Sequence, residues 1–75
     1  MTIFTPRECD IIRLLIKGKT NKEIGNALFI SFHTVKRNME MIFEKTGCKN
    51  RVEVTVWIMQ HEFEEFFDST KTPLE

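Results

Sequence analysis

The chain has no tyrosine, and its 75 residues include one Trp, two Cys, two Pro and three Gly. Two cysteines, Cys9 and Cys48, are too few for a disulfide framework and lack the spacing of a zinc site. Histidine occurs only at 33 and 61, so no metal-ligand cluster is expected and no cofactor is implied. The expectation is therefore a pair of buried, reduced thiols in a cytoplasmic protein. No apolar run approaches the roughly 20 residues of a membrane helix, and the N-terminus lacks the apolar region of a signal peptide. There is no Ser/His/Asp set and no Gly-rich phosphate loop, which makes an enzyme the weakest reading; Glu64-Glu65 reads as a solvated surface. Internal repeats and low-complexity segments are also absent. Net charge is lacking as well, since 11 basic residues balance 11 acidic ones, and this first argues against a polyanionic partner.

The charge distribution reverses that argument. Residues 1–52 carry ten Lys/Arg against five acids, a net +5, whereas residues 53–75 carry one lysine against six acids, a net −5. A basic body with an acidic tail keeps a local field that attracts phosphate. The length allows one domain with a small core. Residues 1–68 are expected to form it. Residues 69–75 are expected to be a frayed tail in which Leu74-Glu75 reads as a cloning remnant.

Four helices are legible, an all-α architecture. Thr5-Pro6-Arg7-Glu8 combines an N-cap, a proline suited to the first helical position and a capping-box glutamate. Ile11, Ile12, Leu14, Leu15 and Ile16 supply the inward face of this first helix, which Gly18 ends. Thr20 and Glu23 form a second capping box for a short helix containing Ile24 and Leu28. Asn21 and Lys22 fall in its first turn, where backbone N–H groups and the positive dipole end suit a phosphate. Gly25 costs this helix about 1 kcal/mol relative to Ala, which points to close approach by another helix. Phe29 and Ile30 make a turn.

Ser31 then caps a third helix running to Thr46. Val35, Met39 and Ile42 recur at helical spacing on one face, with His33, Lys36, Arg37, Glu40 and Glu44 opposite. Thr34, Asn38 and Lys45 lie on one flank. In isolation such a helix is more often a plain solvated face than a reader of DNA. Preceded by a second short helix and a tight turn, it becomes the second helix of a helix-turn-helix unit, whose polar face fits the major groove.

Gly47 ends the third helix and Asn50, with Glu53 in capping-box position, opens a fourth that is expected to run to about Phe67. This helix is apolar on two sides: Val52, Val56, Met59, Phe63 and Phe66 on one, Val54, Trp57 and Ile58 on the other. A small domain can bury one stripe in its own core, so the second suggests a partner; the plainer alternative is that both are covered within one chain. Residue spacing does not say which stripe is which.

The segments FTPRE (4–8), GKTNKEIGNALFIS (18–31), TVK (34–36) and KTGCKNRVEV (45–54) resemble, in order and spacing, the LuxR/FixJ/NarL-type helix-turn-helix domain of bacterial transcription regulators. The match covers about two-thirds of the chain, and RVEVTVWIMQ is most similar to the nitrate-response branch. The resemblance implies a four-helix domain that binds DNA as a dimer, with the third helix for recognition and the fourth for dimerisation. By position, it assigns Lys36, Arg37 and Glu40 to the groove side; His33, on the same helical face, joins them as an expected auxiliary. It places Lys22, Thr34, Lys49 and Arg51 at phosphate-side or structural positions, and Asn21 and Lys45 join the expected phosphate contacts. It gives Val52, Val56 and Met59 to the dimer stripe, which Phe63 extends, and Val54 and Ile58 to the core. Three residues depart from the family pattern: Glu40 is acidic on the groove side, Asn38 replaces a frequent His, and Thr46 replaces a usual Leu, removing apolar packing that Phe43 is placed to restore.

The leading expectation is a sequence-specific, dimeric transcriptional regulator, the output domain of a response regulator or a stand-alone protein. Its partners would be double-stranded DNA and a second copy, with RNA polymerase a further candidate. Met1 lies three residues ahead of Phe4, so no sensor domain is expected in this chain. The alternative is a helix-turn-helix module turned to protein–protein interaction, which the zero net charge, Glu40, Glu44 and the Phe-rich acidic end motivate. Steep salt dependence of duplex binding discriminates the two.

Overall fold

Hydroxyl and amide caps open every helix of the computed structural model, which describes residues 3–61. The elements are α1 (Pro6–Ile16), α2 (Asn21–Leu28), α3 (Phe32–Thr46) and α4 (Arg51–Gln60). No strand occurs among the described residues, and no helix among them is long and apolar enough to cross a membrane. Both expected Thr/Glu boxes are complete. The hydroxyls of Thr5 and Thr20 each accept the N–H three residues on at 3.1 Å, and the carboxylates of Glu8 and Glu23 accept the threonine N–H at 3.0 and 2.9 Å. Ser31 accepts from the Thr34 N–H at 3.0 Å. Each such cap contributes about 1 kcal/mol.

The fourth cap differs from the expected box. Asn50 accepts from the Glu53 N–H at 2.9 Å, but the Glu53 carboxylate reaches past Asn50 to the Lys49 N–H at 2.7 Å. The φ of Asn50 is −154°, against −72° and −75° at the two threonine caps. That rotation swings the Asn50 N–H away and presents the preceding one.

Helix ends follow glycine at two places, Gly18 (φ 87°) and Gly47 (φ 75°). The end of α2 does without it. Phe29 adopts the left-handed conformation at φ 59°, ψ 42°, and both its N–H and that of Ile30 bond back to the Gly25 carbonyl. A non-glycine residue in that region costs of order 1 kcal/mol or more, here offset by the two bonds that close the turn.

The core is Phe4, Cys9, Ile11, Ile12, Leu15, Ile24, Val35, Met39, Ile42, Val54 and Ile58. Helix α3 runs through its middle and packs on the other three. Cys9 is buried and Cys48 half-buried, both as free thiols; burial pushes the Cys9 thiol up from its ordinary value, against the opposing charge of Arg13. Gly25 is buried where α2 meets the turn. A Cβ built on it would lie 2.9 Å from the Ile30 carbonyl oxygen and 3.5 Å from Val35 Cγ2. The close approach expected from the sequence is thus real, but it comes first from the backbone of the turn and only second from α3.

Helix α4 settles its two stripes. Val54 and Ile58 are fully buried, and Trp57 packs edge-on against Phe4 with centroids 5.9 Å apart. The His61 ring stacks on Trp57 at 3.7 Å, with Nδ1 2.8 Å from the Trp57 carbonyl oxygen. The expected continuation to Phe67, and the segment expected as a tail, lie outside the described residues.

Candidate nucleic-acid interface

Because α3 buries Val35, Met39 and Ile42, its geometry of 3.6 residues per turn turns His33, Lys36, Arg37 and Glu40 outward together. All four expected groove residues are exposed, and they line one shallow hollow with Met41. Among the described residues neither Lys36 nor Arg37 enters an ion pair, so both charges face solvent. Glu40 follows Lys36 by one turn and partly offsets its field.

A neighbouring hollow brings Lys36 and Glu40 together with Asn21, Lys49 and Arg51. Residues from α2, α3 and the start of α4 therefore converge on one side of the molecule, although 30 positions separate Asn21 from Arg51 in sequence. Arg51 has a structural task within this cluster. Its Nη2 donates to the Lys19 carbonyl at 2.6 Å and its Nη1 to Asn21 Oδ1 at 3.5 Å, fastening the start of α4 to the α1–α2 loop. Lys22 is exposed in the first turn of α2, at the positive end of that helix dipole. Nearby, the Thr20 N–H holds the Glu23 carboxyl below the usual carboxylate range, with Lys19 adding to the effect.

Thr34 occupies the third position of α3. Its hydroxyl oxygen accepts from the Ser31 hydroxyl at 2.9 Å. Asn38, on the same flank, donates to the Thr34 carbonyl at 2.8 Å and so stays within its own helix. The hydroxyl of Thr46 donates to the Ile42 carbonyl at 2.9 Å and accepts from the Cys48 N–H at 3.2 Å, tying the end of α3 to the following loop. Hydrogen bonds thus replace the apolar packing that a leucine would supply there.

Lys45 reaches back across the domain. Its ammonium lies 2.6 Å from Glu8 Oε1 and 3.1 Å from the Ile3 carbonyl oxygen. The Glu8 side chain keeps only 4% of its surface in water. The carboxylate that caps α1 therefore also anchors the end of α3, and the charge of Lys45 is engaged within the domain.

On α4, Val52, Val56 and Met59 are 69%, 47% and 68% exposed, the three apolar side chains the resemblance assigns to a dimer stripe. Phe63 lies outside the described residues. Phe29, expected in the turn, is 93% exposed there, and Phe32, which the sequence did not single out, is 55% exposed at the start of α3. The hydrophobicity of Phe32 gives no sign of that exposure, which follows from its place as the first residue of α3.

The profile of the bacterial regulatory proteins, luxR family, matches residues 2–58. The nitrate/nitrite response regulator protein NarL of Escherichia coli strain K12 is 43% identical over 56 residues, 75% of this chain and 26% of that protein. The transcriptional regulatory protein LiaR of Bacillus subtilis strain 168 is 43% identical over 53 residues, 71% of this chain and 25% of LiaR. The chain thus spans about a quarter of the length of those two relatives. It covers 78% of the spore germination protein GerE of Bacillus subtilis strain 168, at 36% identity over 58 residues. Among solved structures, the response regulator ChrA of a heme-sensing two-component system superposes with a TM-score of 0.78 at 31% identity, over 83% of this chain and 31% of that one. A chain from the complex of the anti-activator RapF with the response regulator ComA DNA-binding domain gives 0.71 at 36% identity, over 73% of this chain and 95% of that one. The profile match over most of the chain and the shared four-helix fold place this protein in the LuxR family of bacterial regulatory proteins.

Proposed function

We propose that the chain is a sequence-specific, DNA-binding transcriptional regulator module that docks α3 in the major groove and pairs through α4. The observation that carries this reading is the division of α3: Val35, Met39 and Ile42 are buried, while His33, Lys36, Arg37 and Glu40 stand exposed together. Lys36 and Arg37 can donate to guanine O6 and N7, and Glu40 can accept from a cytosine amino group. Asn21, Lys22, Thr34, Lys49 and Arg51 flank this ridge as phosphate contacts that set the register. Lys45 is left out of that set because Glu8 holds it. The dimer contact is Val52, Val56 and Met59, with Phe63 extending it. Regulators named as response regulators among the relatives support a cytoplasmic output role, with RNA polymerase a downstream partner. No catalytic step is assigned.

The test is selection from a random duplex library at low salt. Enrichment of paired short half-sites supports a dimeric reader, and Arg37→Glu should abolish binding to the winner while leaving the helical content intact. Unchanged affinity in that variant would remove Arg37 from the base-reading role. A second reading, a helix-turn-helix module that binds protein, is favoured by one observation: the neighbouring ComA domain was solved in complex with RapF. Absence of any enriched duplex would favour that reading.

A further inference from the structure

Phe32 opens α3 with 55% of its surface in water, although neither the core nor the cap requires a phenylalanine there. It is the first residue of the helix, one before His33 and four before Lys36, so it shares a flank with Lys36 one turn nearer the helix start. Its backbone lies close to α2: the Phe32 nitrogen is 3.7 Å from where a Cβ on Gly25 would stand. In helix-turn-helix docking, the N-terminal residues of the recognition helix are the ones that reach base edges. A phenyl ring has no donor or acceptor to offer them. The apolar group a base pair presents in the major groove is the thymine C5-methyl.

We infer that Phe32 reads a thymine methyl in each half-site, a specificity contact that rests on the DNA-binding function proposed above. Four residues of helix rise span about 6 Å, and base pairs stack roughly 3.4 Å apart. The thymine therefore lies within about two base pairs of the base that Lys36 meets. Removing one buried methyl costs about 0.8 kcal/mol, which corresponds to roughly a fourfold loss of affinity.

The experiment selects duplexes with the wild-type chain and with Phe32→Ala, then replaces each thymine of the wild-type winner in turn by deoxyuridine. The expected result is one position per half-site where thymine preference disappears in Phe32→Ala. Deoxyuridine at that position should weaken the wild type about fourfold and leave Phe32→Ala unaffected. Because Phe32 is exposed, the variant should keep its helical content, and the deoxyuridine arm leaves the protein untouched in any case. Identical motifs for both proteins, or no loss with deoxyuridine at any position, overturns the inference while leaving DNA binding standing, and returns Phe32 to a protein-contact surface. If no motif is enriched at all, the DNA-binding reading fails and this inference falls with it.

Discussion

Replacing Gly25 by alanine sets two effects of opposite sign against each other. In an unconstrained helix the change should stabilise by about 1 kcal/mol, because glycine loses more backbone entropy on folding. Here the new Cβ would stand 2.9 Å from the Ile30 carbonyl oxygen, closer than real Cβ contacts allow. That oxygen belongs to backbone fixed by the bond from the Ile30 N–H to the Gly25 carbonyl, so it cannot rotate away like a side-chain tip. Overpacking a site of this kind costs about 1–3 kcal/mol. With the carbonyl as the obstacle we expect the upper part of that range, hence a net loss of about 1–2 kcal/mol. For a domain this small, each kcal/mol lowers the melting temperature by about 4–8 °C. The Val35 methyl at 3.5 Å would be in ordinary contact, so the turn backbone at Ile30 must give, and because that turn leads directly into α3, DNA affinity should fall by more than the unfolded fraction explains. Thermal unfolding followed by circular dichroism reads the first effect, and titration of a duplex well below the transition reads the second. An alanine variant as stable as the wild type, or more so, would refute the claim that the α2–α3 turn is closed on a glycine-only contact.

Lys45→Met should destabilise by about 2–3 kcal/mol in denaturant titration, since it strands the buried Glu8 carboxylate. The figure sits below the full range for buried pairs because Lys45 keeps 26% of its side-chain surface in water. Adding Glu8→Gln should recover part of the loss, and equal loss in single and double variants would count against the ion pair. The Thr20 N–H depresses the Glu23 carboxyl in the fold. An acid with a lowered folded pKa contributes stability above its unfolded value that disappears as pH falls through the folded one. The stability difference between wild type and Glu23→Gln should therefore shrink as pH falls below the ordinary value of 4.5, and a constant difference would contradict the cap. Val56→Glu should weaken binding to a two-half-site operator far more than to a single half-site; matching losses on both would exclude α4 as the dimer contact.

Local rules made much of this fold readable. Thr5/Glu8 and Thr20/Glu23 are pairs three residues apart that act within one turn, and their boxes formed as the spacing implies. The Val35–Met39–Ile42 stripe follows from helical period alone. Contacts that depend on tertiary placement were not readable. Lys45 lies 37 residues from Glu8, and nothing in either local context announces the pair. The task of Arg51, tying α4 to the Lys19 carbonyl, likewise exists only once the helices are assembled. Glu53 had the spacing of a capping box but bonded to Lys49, because spacing does not encode the φ of the residue between them. Phe32 was opaque for another reason: hydrophobicity predicts burial on average, and exposed aromatics are recognised only from their surroundings.

The claim that α3 and its flanks form a DNA-binding face is tested most directly by the salt dependence of affinity for the selected duplex. Lys22, Lys49 and Arg51 are the cationic members of the phosphate set in each chain. At about 0.9 per phosphate neutralised, log K should fall against log salt with a slope near −3 for one chain and about −5 to −6 for a dimer. Removing Lys22 should reduce that slope by about 1 per chain. A slope near zero, or one unchanged by Lys22→Ala and Lys49→Ala together, would contradict the account and move the exposed ridge of α3 to a protein partner.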